Sequence, residues 1–168
     1  MKAIKDAMVL IHLAKITVLE KSCKYFQEVC IPEEVFKETV VKGKEKGLED
    51  AFLIEQLIEA SKIKIKKVTD LKLIRMANEF NIFGGEAEAL ALYRQENAEY
   101  LISDDDNLRK KREIVHANII GSLGVLLMLR RSDKIDKMKF ISSIERMRDI
   151  GWFSNAVLDK VILEGERR

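Results

Sequence analysis

The chain contains few of the residues that interrupt a fold. Pro32 is the single proline, and there are eight glycines among 168 residues. No stretch rich in proline, glycine or serine divides the chain and no repeat is visible, which excludes a linker-joined or repeat architecture. The sequence therefore predicts one domain, long enough to bury a substantial core.

Cysteine is also scarce, with Cys23 and Cys30 the two present. Their spacing fits neither a CxxC pair nor a zinc pattern, and only His12 and His116 are available to complete a site. We therefore expect two buried thiols that take no part in function.

The chain lacks an excess of charge of either sign and lacks a long apolar run. Its 30 basic residues nearly cancel its 28 acidic residues, so any contact with nucleic acid must be local. No apolar run approaches the ~20 residues that span a bilayer. The opening "KAIKDAMVL" carries an aspartate and no signal-peptide cleavage site. We expect a cytoplasmic protein with no membrane partner.

Short apolar runs alternate with patterns of helical period. The strand candidates are "KAIKD", "EVCI", "KIKIKKV", "EYLIS" and "VHANII". Such alternation predicts βαβ units, and hence an α/β three-layer sandwich with a central parallel sheet of about five strands. "KIKIKKV" alternates with period two, which indicates one wet face and a place near the sheet edge.

Two helical patterns close the chain, near residues 134–149 and 154–164. We divide the sequence into a domain at residues 1–132 and a C-terminal helical extension at residues 133–168, packed on the same domain. Nothing in the pattern assigns a role to the extension.

Acidic residues follow two of the predicted strands. Asp6 ends the first, and Asp104 with Asp105 ends the fourth. In open parallel sheets, ligands bind beyond the carboxyl ends of the strands, near a switch in strand order. Each acid alone is equally suited to capping the helix that follows it. Asp106 is better read as a helix-start charge.

Two further acids lie in predicted helices. Glu86 lies in the first turn of "GGEAEALALY", after a glycine pair that forms either a turn or a close approach. Glu38 lies beside the apolar stripe of "PEEVFKETVV", and periodicity does not choose between Glu34 and Glu38 as the inward-facing acid. For Glu34 and Glu38 alike, the alternative is a surface charge with no role in function.

Together these stretches resemble the PIN-domain family, the ribonuclease fold of VapC-type toxins and many archaeal stand-alone proteins. "IKDAMVLIHLAKI" is similar to the family's opening strand, acid and helix, and "VCIPEEVFKETV" to its second block, with its acid at Glu38. "GGEAEALAL" resembles a third block, written GEAEA in one subgroup, and contains Glu86. "YLISDDDNLRKK" resembles the fourth, where a serine or threonine ends the strand and aspartates follow. The likeness covers residues 2 to 130.

The resemblance implies a metal-dependent ribonuclease that uses Mg²⁺ or Mn²⁺, the ions that carboxylates and phosphates bind best. The catalytic residues it implies are Asp6, Glu38, Glu86 and Asp105. The metal ligands it implies are Asp6, Glu86, Asp104 and Asp105. The division of labour between Asp104 and Asp105 stays open, and a further acid that some members carry after the fifth strand is absent from "NIIGSLG".

A basic run follows the aspartates within two helical turns. Arg109 and Lys110 are candidate contacts to RNA phosphates, and Ser103 to a carboxylate, a water or the nucleic acid; a solvated helix face explains the basic run equally. No aromatic-rich patch in the sequence suggests stacking on bases. The resemblance further implies single-stranded RNA as substrate, a homodimer and, in a toxin, an antitoxin protein as partner.

Two other function classes remain at this point. One is a non-catalytic PIN-like module that binds RNA or a protein. The other is a phosphoacceptor regulator, which needs an acidic pair after the first strand and a lysine after the last. Here one aspartate follows the first strand and "GSLG" follows the fifth, so the site chemistry disfavours the regulator.

Overall fold

Strands and helices alternate along the chain in the computed structural model, which describes residues 1–167. The strands β1 to β5 are Lys2–Lys5, Glu28–Pro32, Lys64–Lys66, Tyr100–Ile102 and Ile119–Ile120. The first helices, α1 to α5, are Ala7–Lys15, Leu19–Phe26, Glu33–Phe36, Lys42–Glu45 and Glu49–Glu59, with a π-helical turn at Lys37–Val41 joining α3 to α4. The later helices, α6 to α11, are Leu71–Glu79, Gly84–Gln95, Asp106–Lys110, Ser122–Arg131, Lys137–Ile150 and Asn155–Glu166.

The five strands form one parallel sheet in the order β3-β2-β1-β4-β5. The predicted α/β sandwich is confirmed, and β3 lies at an edge as its alternating pattern indicates. The chain proceeds outward from β1 to β3 and then returns to place β4 on the other side of β1. The strand order therefore reverses between β1 and β4, where the Ile4 and Leu101 Cα positions pair. A ligand crevice is expected at the carboxyl ends of these two strands.

Successive side chains of β1 point to opposite faces of the sheet, and each face is covered by its own layer of the core. Ala3 faces a cluster that includes residues of α1, α2, α5 and α9 to α11, whereas Ile4 faces a cluster that includes residues of α6 and α7. Lys5 shares the Ala3 side and is fully buried under α2, where its Nζ donates to the Ser22 hydroxyl and lies 5.7 Å from the Phe26 ring centroid. Burial lowers the pKa of Lys5. Helix α2 therefore covers a polar side chain within the apolar core.

Three local features differ from the sequence expectation. Helix α2 is not predicted, because it lacks a side-chain cap and follows α1 after a tight turn at Thr17, whose φ is +59°. The predicted strand "VHANII" is wrong in its first half: His116 takes a left-handed φ of +47°, so β5 keeps only its last two residues. Pro32 is the last residue of β2, where it pairs with Lys66, and the N-cap residue of α3, whereas its position before "EEVFKETV" suits the first turn of that helix.

The C-terminal helices join the main core rather than forming one of their own. Buried side chains of α10 and α11, such as Phe140, Ile144 and Leu158, belong to the same cluster as Leu10 of α1 and Ile102 of β4. The boundary placed at residue 132 stays a prediction. Across residues 1–167, every helix is too short or too polar to traverse a lipid bilayer.

Candidate functional site

The carboxyl ends of β1 and β4 bring Asp6 and Ser103 into contact. Asp6 is 3% exposed, and its backbone N–H donates to the Ile102 carbonyl at 3.1 Å. Its Oδ1 accepts from the Val9 N–H at 3.0 Å, and its Oδ2 accepts from the Ser103 hydroxyl. Asp6 therefore does cap α1, as its position allows, but a surface cap has no need of a buried serine from the neighbouring strand.

Burial raises the pKa of Asp6 to about 7. The hydrogen bonds from Ser103 and Val9 act in the opposite direction, and the nearby charges of Asp104 and Glu86 add to the increase. The Asp6 carboxyl is consequently poised between its charged and neutral forms near neutral pH, which is a common property of functional acids.

Asp104 lies next to this pair and is 1% exposed. Its Oδ2 accepts from His12 Nδ1 at 2.7 Å, and its Oδ1 accepts from the Ser122 N–H at 2.7 Å. Both oxygens are thus committed to protein donors from α1 and α9. In this arrangement Asp104 joins three elements, and each of its oxygens keeps one lone pair for a further contact.

Asp105 and Asp106 take two different positions at the start of α8. The Asp105 Oδ1 accepts from the Leu108 N–H at 2.7 Å and caps α8, while the Asp105 N–H donates to the Ser103 hydroxyl at 3.1 Å. Asp106 is exposed in the first helical turn, where its charge favours the helix. Ser103 thereby links Asp6 to the backbone of Asp105, so the run of aspartates is tied to β1 through one hydroxyl.

Glu38 lies against the glycine pair that opens α7. A Cβ placed on Gly85 would lie 2.9 Å from the Glu38 Oε1, so the absence of a side chain at residue 85 is what admits this carboxylate. Glu38 belongs to the π-helical turn, a feature that often marks functional positions. Burial, and next the charge of Glu86, raise the pKa of Glu38. Of the two acids left open by periodicity, Glu38 is therefore the one that faces α7.

Asp6, Glu38 and Glu86 form what we call the acidic edge. Glu86 repels both of the others electrostatically, and within residues 1–167 none of the three has a basic partner in an ion pair. Over the same residues, no three metal-ligating side chains are already gathered into one group. The donors are all carboxylate oxygens, the chemistry that Mg²⁺ or Mn²⁺ prefers, and a divalent cation would offset their repulsion. The acidic edge therefore fits such an ion in its chemistry.

Sequence reasoning missed His12. Its partner Asp104 is 92 residues away, so no local motif joins them. Its ring centroid lies 5.7 Å from that of Trp152 and 5.9 Å from that of Phe153, in the turn between α10 and α11. The available signal was a histidine in the apolar run "VLIHLA", where a buried imidazole needs a polar partner. His12 thus connects the turn between the C-terminal helices to Asp104, at the carboxyl end of β4.

A cleft of about 700 Å³ opens beside Asp104, between α8, α9 and α11. Arg109, one of the predicted phosphate contacts, lines this cleft and a second depression further along α8. Lys110, the other, is exposed and lines only the second depression. Both basic side chains thus lie on the surface beside the site, with Arg109 nearer to Asp104.

Comparison with known proteins gives one match. The model of the family DUF3368, described as a PIN domain, matches residues 2–166. The match continues through α10 and α11, beyond the stretch over which the sequence motifs were recognised. No curated protein and no solved structure matches the chain.

Proposed function

The chain belongs to the PIN-domain family, and from this premise we propose that it is a metal-dependent ribonuclease acting on single-stranded RNA. PIN domains are generally nucleases, and those nucleases typically use divalent metals. The observation that carries the proposal is the acidic edge, in which Glu86 acts electrostatically both on the buried Asp6, whose pKa is near 7, and on Glu38. Capping of α1 alone would leave the Asp6 carboxylate at the surface, whereas here it is buried and receives a second hydrogen bond from Ser103 of β4.

Asp6 and Glu86 are the residues that would hold Mg²⁺ or Mn²⁺, with Asp105 and Asp104 as further ligands on the family pattern. When bound, the ion supplies a polarised phosphoryl oxygen and an acidified water. Ser103 holds the Asp6 carboxylate in place from β4. Glu38, whose pKa is raised, is suited to accept a proton from the attacking water. Arg109 and Lys110 supply positive charge for the flanking phosphates.

The direct test is cleavage of end-labelled single-stranded RNA by the purified protein in Mg²⁺, in Mn²⁺ and in excess chelator. We expect cleavage only with the metals, and products without a 2′,3′-cyclic phosphate, because water rather than the ribose hydroxyl attacks. Protein carrying Asp6→Asn, purified in parallel, controls for contaminating nucleases. Cleavage that persists in chelator or in this variant would reject the assignment. RNA binding without cleavage would favour the non-catalytic PIN-like module.

The proposed partners rest on a different argument from the proposed activity. A toxin role with an antitoxin protein, a homodimer and a cytoplasmic location all come from the family resemblance. They are proposals that the acidic edge does not bear on. Co-expression with the product of an adjacent reading frame, followed by size-exclusion chromatography with light scattering, tests the first two together.

Gly85→Ala is expected to lower the cleavage rate by about tenfold without lowering stability by more than ~1 kcal/mol. The added methyl group displaces the Glu38 carboxylate, which is part exposed and can swing away, and alanine favours the helix. Activity is measured under saturating metal, and stability by urea unfolding.

Gly84→Ala is the matched control, one residue earlier. Gly84 has a φ of +60° and no crowding atom closer than 4.0 Å, so alanine there should reduce stability by about 1 kcal/mol and leave Glu38 in place. If the two variants lose activity equally, the position of Glu38 does not matter to the reaction.

A further inference from the structure

The turn between α10 and α11 places an aromatic side chain in the cleft beside Asp104. Trp152 is the single tryptophan of the chain and is 48% exposed. Phe153, its neighbour, is half-buried and packs against the main core. Both rings approach His12, which holds Asp104. The phenylalanine therefore anchors the turn, while the tryptophan remains available to a ligand.

Trp152 lines the same cleft of about 700 Å³ as Asp104 and Arg109. The remaining wall is mixed: Leu127 and Val157 are apolar, and the other charged lining residues are Asp106, Lys160 and Glu164. Within residues 1–167, neither Arg109 nor Lys160 forms an ion pair. An aromatic surface beside an unpaired guanidinium, with the size of a small-molecule site, suits a planar group that carries a phosphate.

We propose that Trp152 stacks on a nucleobase of the single-stranded substrate and that Arg109 contacts the phosphate beside that base. This inference rests on the proposed function, which supplies single-stranded RNA as the substrate. It adds where one nucleotide of that RNA would bind. Asp104 belongs both to the cleft and to the run of aspartates that Ser103 ties to Asp6. Asp6, Glu38 and Glu86 do not line the cleft, so we place the stacked base beside the run of aspartates rather than at the acidic edge.

The charges of the cleft determine what kind of binding to expect. Two cations, Arg109 and Lys160, face three acids in the same cleft, Asp104, Asp106 and Glu164. Stacking must then supply most of the affinity, and stacking is open to any base because every base has a flat face. With at most two phosphates neutralised, log affinity should fall with log salt at a slope no steeper than about −1.4.

The fluorescence of Trp152 reports on the proposed contact directly, since no other tryptophan contributes. Wild-type protein in chelator, where RNA is not cut, is titrated with ten-nucleotide single-stranded RNA, single-stranded DNA and duplex RNA. Quenching by both single strands, and little by the duplex, is expected, because duplex bases are already stacked on each other. Quenching by RNA alone would mean that the ribose also contributes. Absence of quenching by any single strand would overturn the proposal.

Substitution then tests whether the contact carries affinity. Binding of labelled RNA, followed by anisotropy, should weaken about tenfold or more in Trp152→Leu and recover largely in Trp152→Phe, which keeps a ring. Leu163→Ala is the matched control: this side chain is 60% exposed on the adjacent helix α11 and does not line the cleft. Thermal unfolding of all three variants shows whether the turn is disturbed, and the phenylalanine variant retains the test if the leucine variant unfolds.

An abasic scan makes the assignment specific to one base. Each nucleotide of the ten is replaced in turn by an abasic ribose, and the wild-type protein should lose about tenfold in affinity at one position. Trp152→Leu should show no such position, because the partner of that base is gone. Wild-type affinity in Trp152→Leu with cleavage intact would overturn this inference and leave the nuclease proposal standing. Quenching and the scan pattern without any cleavage would do the reverse.

Discussion

Asp6→Asn is expected to reduce RNA cleavage by about a thousandfold or more and to stabilise the metal-free protein at the same time. The loss of activity follows from removing a charged ligand from the acidic edge, since a neutral amide is a poor partner for Mg²⁺ or Mn²⁺. The gain in stability follows from removing a carboxylate that the fold buries at a cost. Cleavage and unfolding are measured on the same preparations.

The stabilisation should depend on pH in a defined direction. Folding raises the pKa of Asp6 from an ordinary 3.8 to about 7. Below pH 4 the carboxyl is protonated in both states, so wild type and variant should be nearly equal. Between pH 4 and about 7 the unfolded state has lost the proton while the folded state still holds it, so the wild type loses up to about 4 kcal/mol that Asp6→Asn retains, and the gap levels off above pH 7. Urea unfolding from pH 4 to 9 in chelator measures the gap.

Asp106→Asn is the matched control for both effects. Asp106 lies in the same acidic run but is exposed at the start of α8. Its replacement should change stability by less than about 0.5 kcal/mol, with no trend across the pH range, and leave most of the activity. An equal pH trend in the two variants, or none in Asp6→Asn, would contradict the burial argument.

Added metal should reverse the ranking of wild type and Asp6→Asn. A divalent ion that binds only the folded acidic edge raises the melting temperature of the wild type with increasing concentration. The Asp6 proton must leave first, so the increase should be larger at pH 8 than at pH 6. Scanning calorimetry with and without Mn²⁺ measures it. An equal increase in Asp6→Asn would place the ion elsewhere.

His12→Leu is expected to destabilise the protein by about 3 kcal/mol, because it removes a hydrogen-bond partner from a buried carboxyl group. Asp104 would keep only the Ser122 N–H as a donor while remaining excluded from water. The change should also alter the fluorescence of Trp152, whose ring packs near that of His12. Denaturant unfolding gives the first quantity and the emission spectrum the second.

A double-mutant cycle separates the hydrogen bond from simple packing loss. Asp104→Asn removes the charge and keeps the shape, so adding His12→Leu to it should destabilise by clearly less than in the wild type. A coupling of about 1 kcal/mol or more is expected. Additive effects would mean that the contact between Nδ1 and Oδ2, at 2.7 Å, contributes little.

The sequence predicts the sheet, its wet edge strand and the acids at its carboxyl edge, because these follow from patterns within a few residues. Asp6 and Asp105 follow strands in the sequence and lie at the ends of those strands in the fold. The choice between Glu34 and Glu38 depends instead on a π-helical turn, which shifts the helical register and has no pattern of its own. The subgroup suggested by "GGEAEALAL" stays a prediction.

What the sequence does not predict depends on distant partners. His12 finds Asp104 only when α1 packs beside the end of β4. Trp152 is isolated in the sequence and belongs to no aromatic-rich patch, and only the turn after α10 brings it to the cleft. Helix α2 has no capping side chain that would predict its start, and it is stabilised by packing on the core that it covers.

The order of strands in the sheet also bears on how the protein is made. Asp6 leaves the ribosome early, whereas Ser103, which holds it, is added 97 residues later on the neighbouring strand. Until β4 has been synthesised and inserted beside β1, the growing chain has neither the support for Asp6 nor the run of aspartates. The proposed site therefore cannot assemble until at least residue 103 has been added.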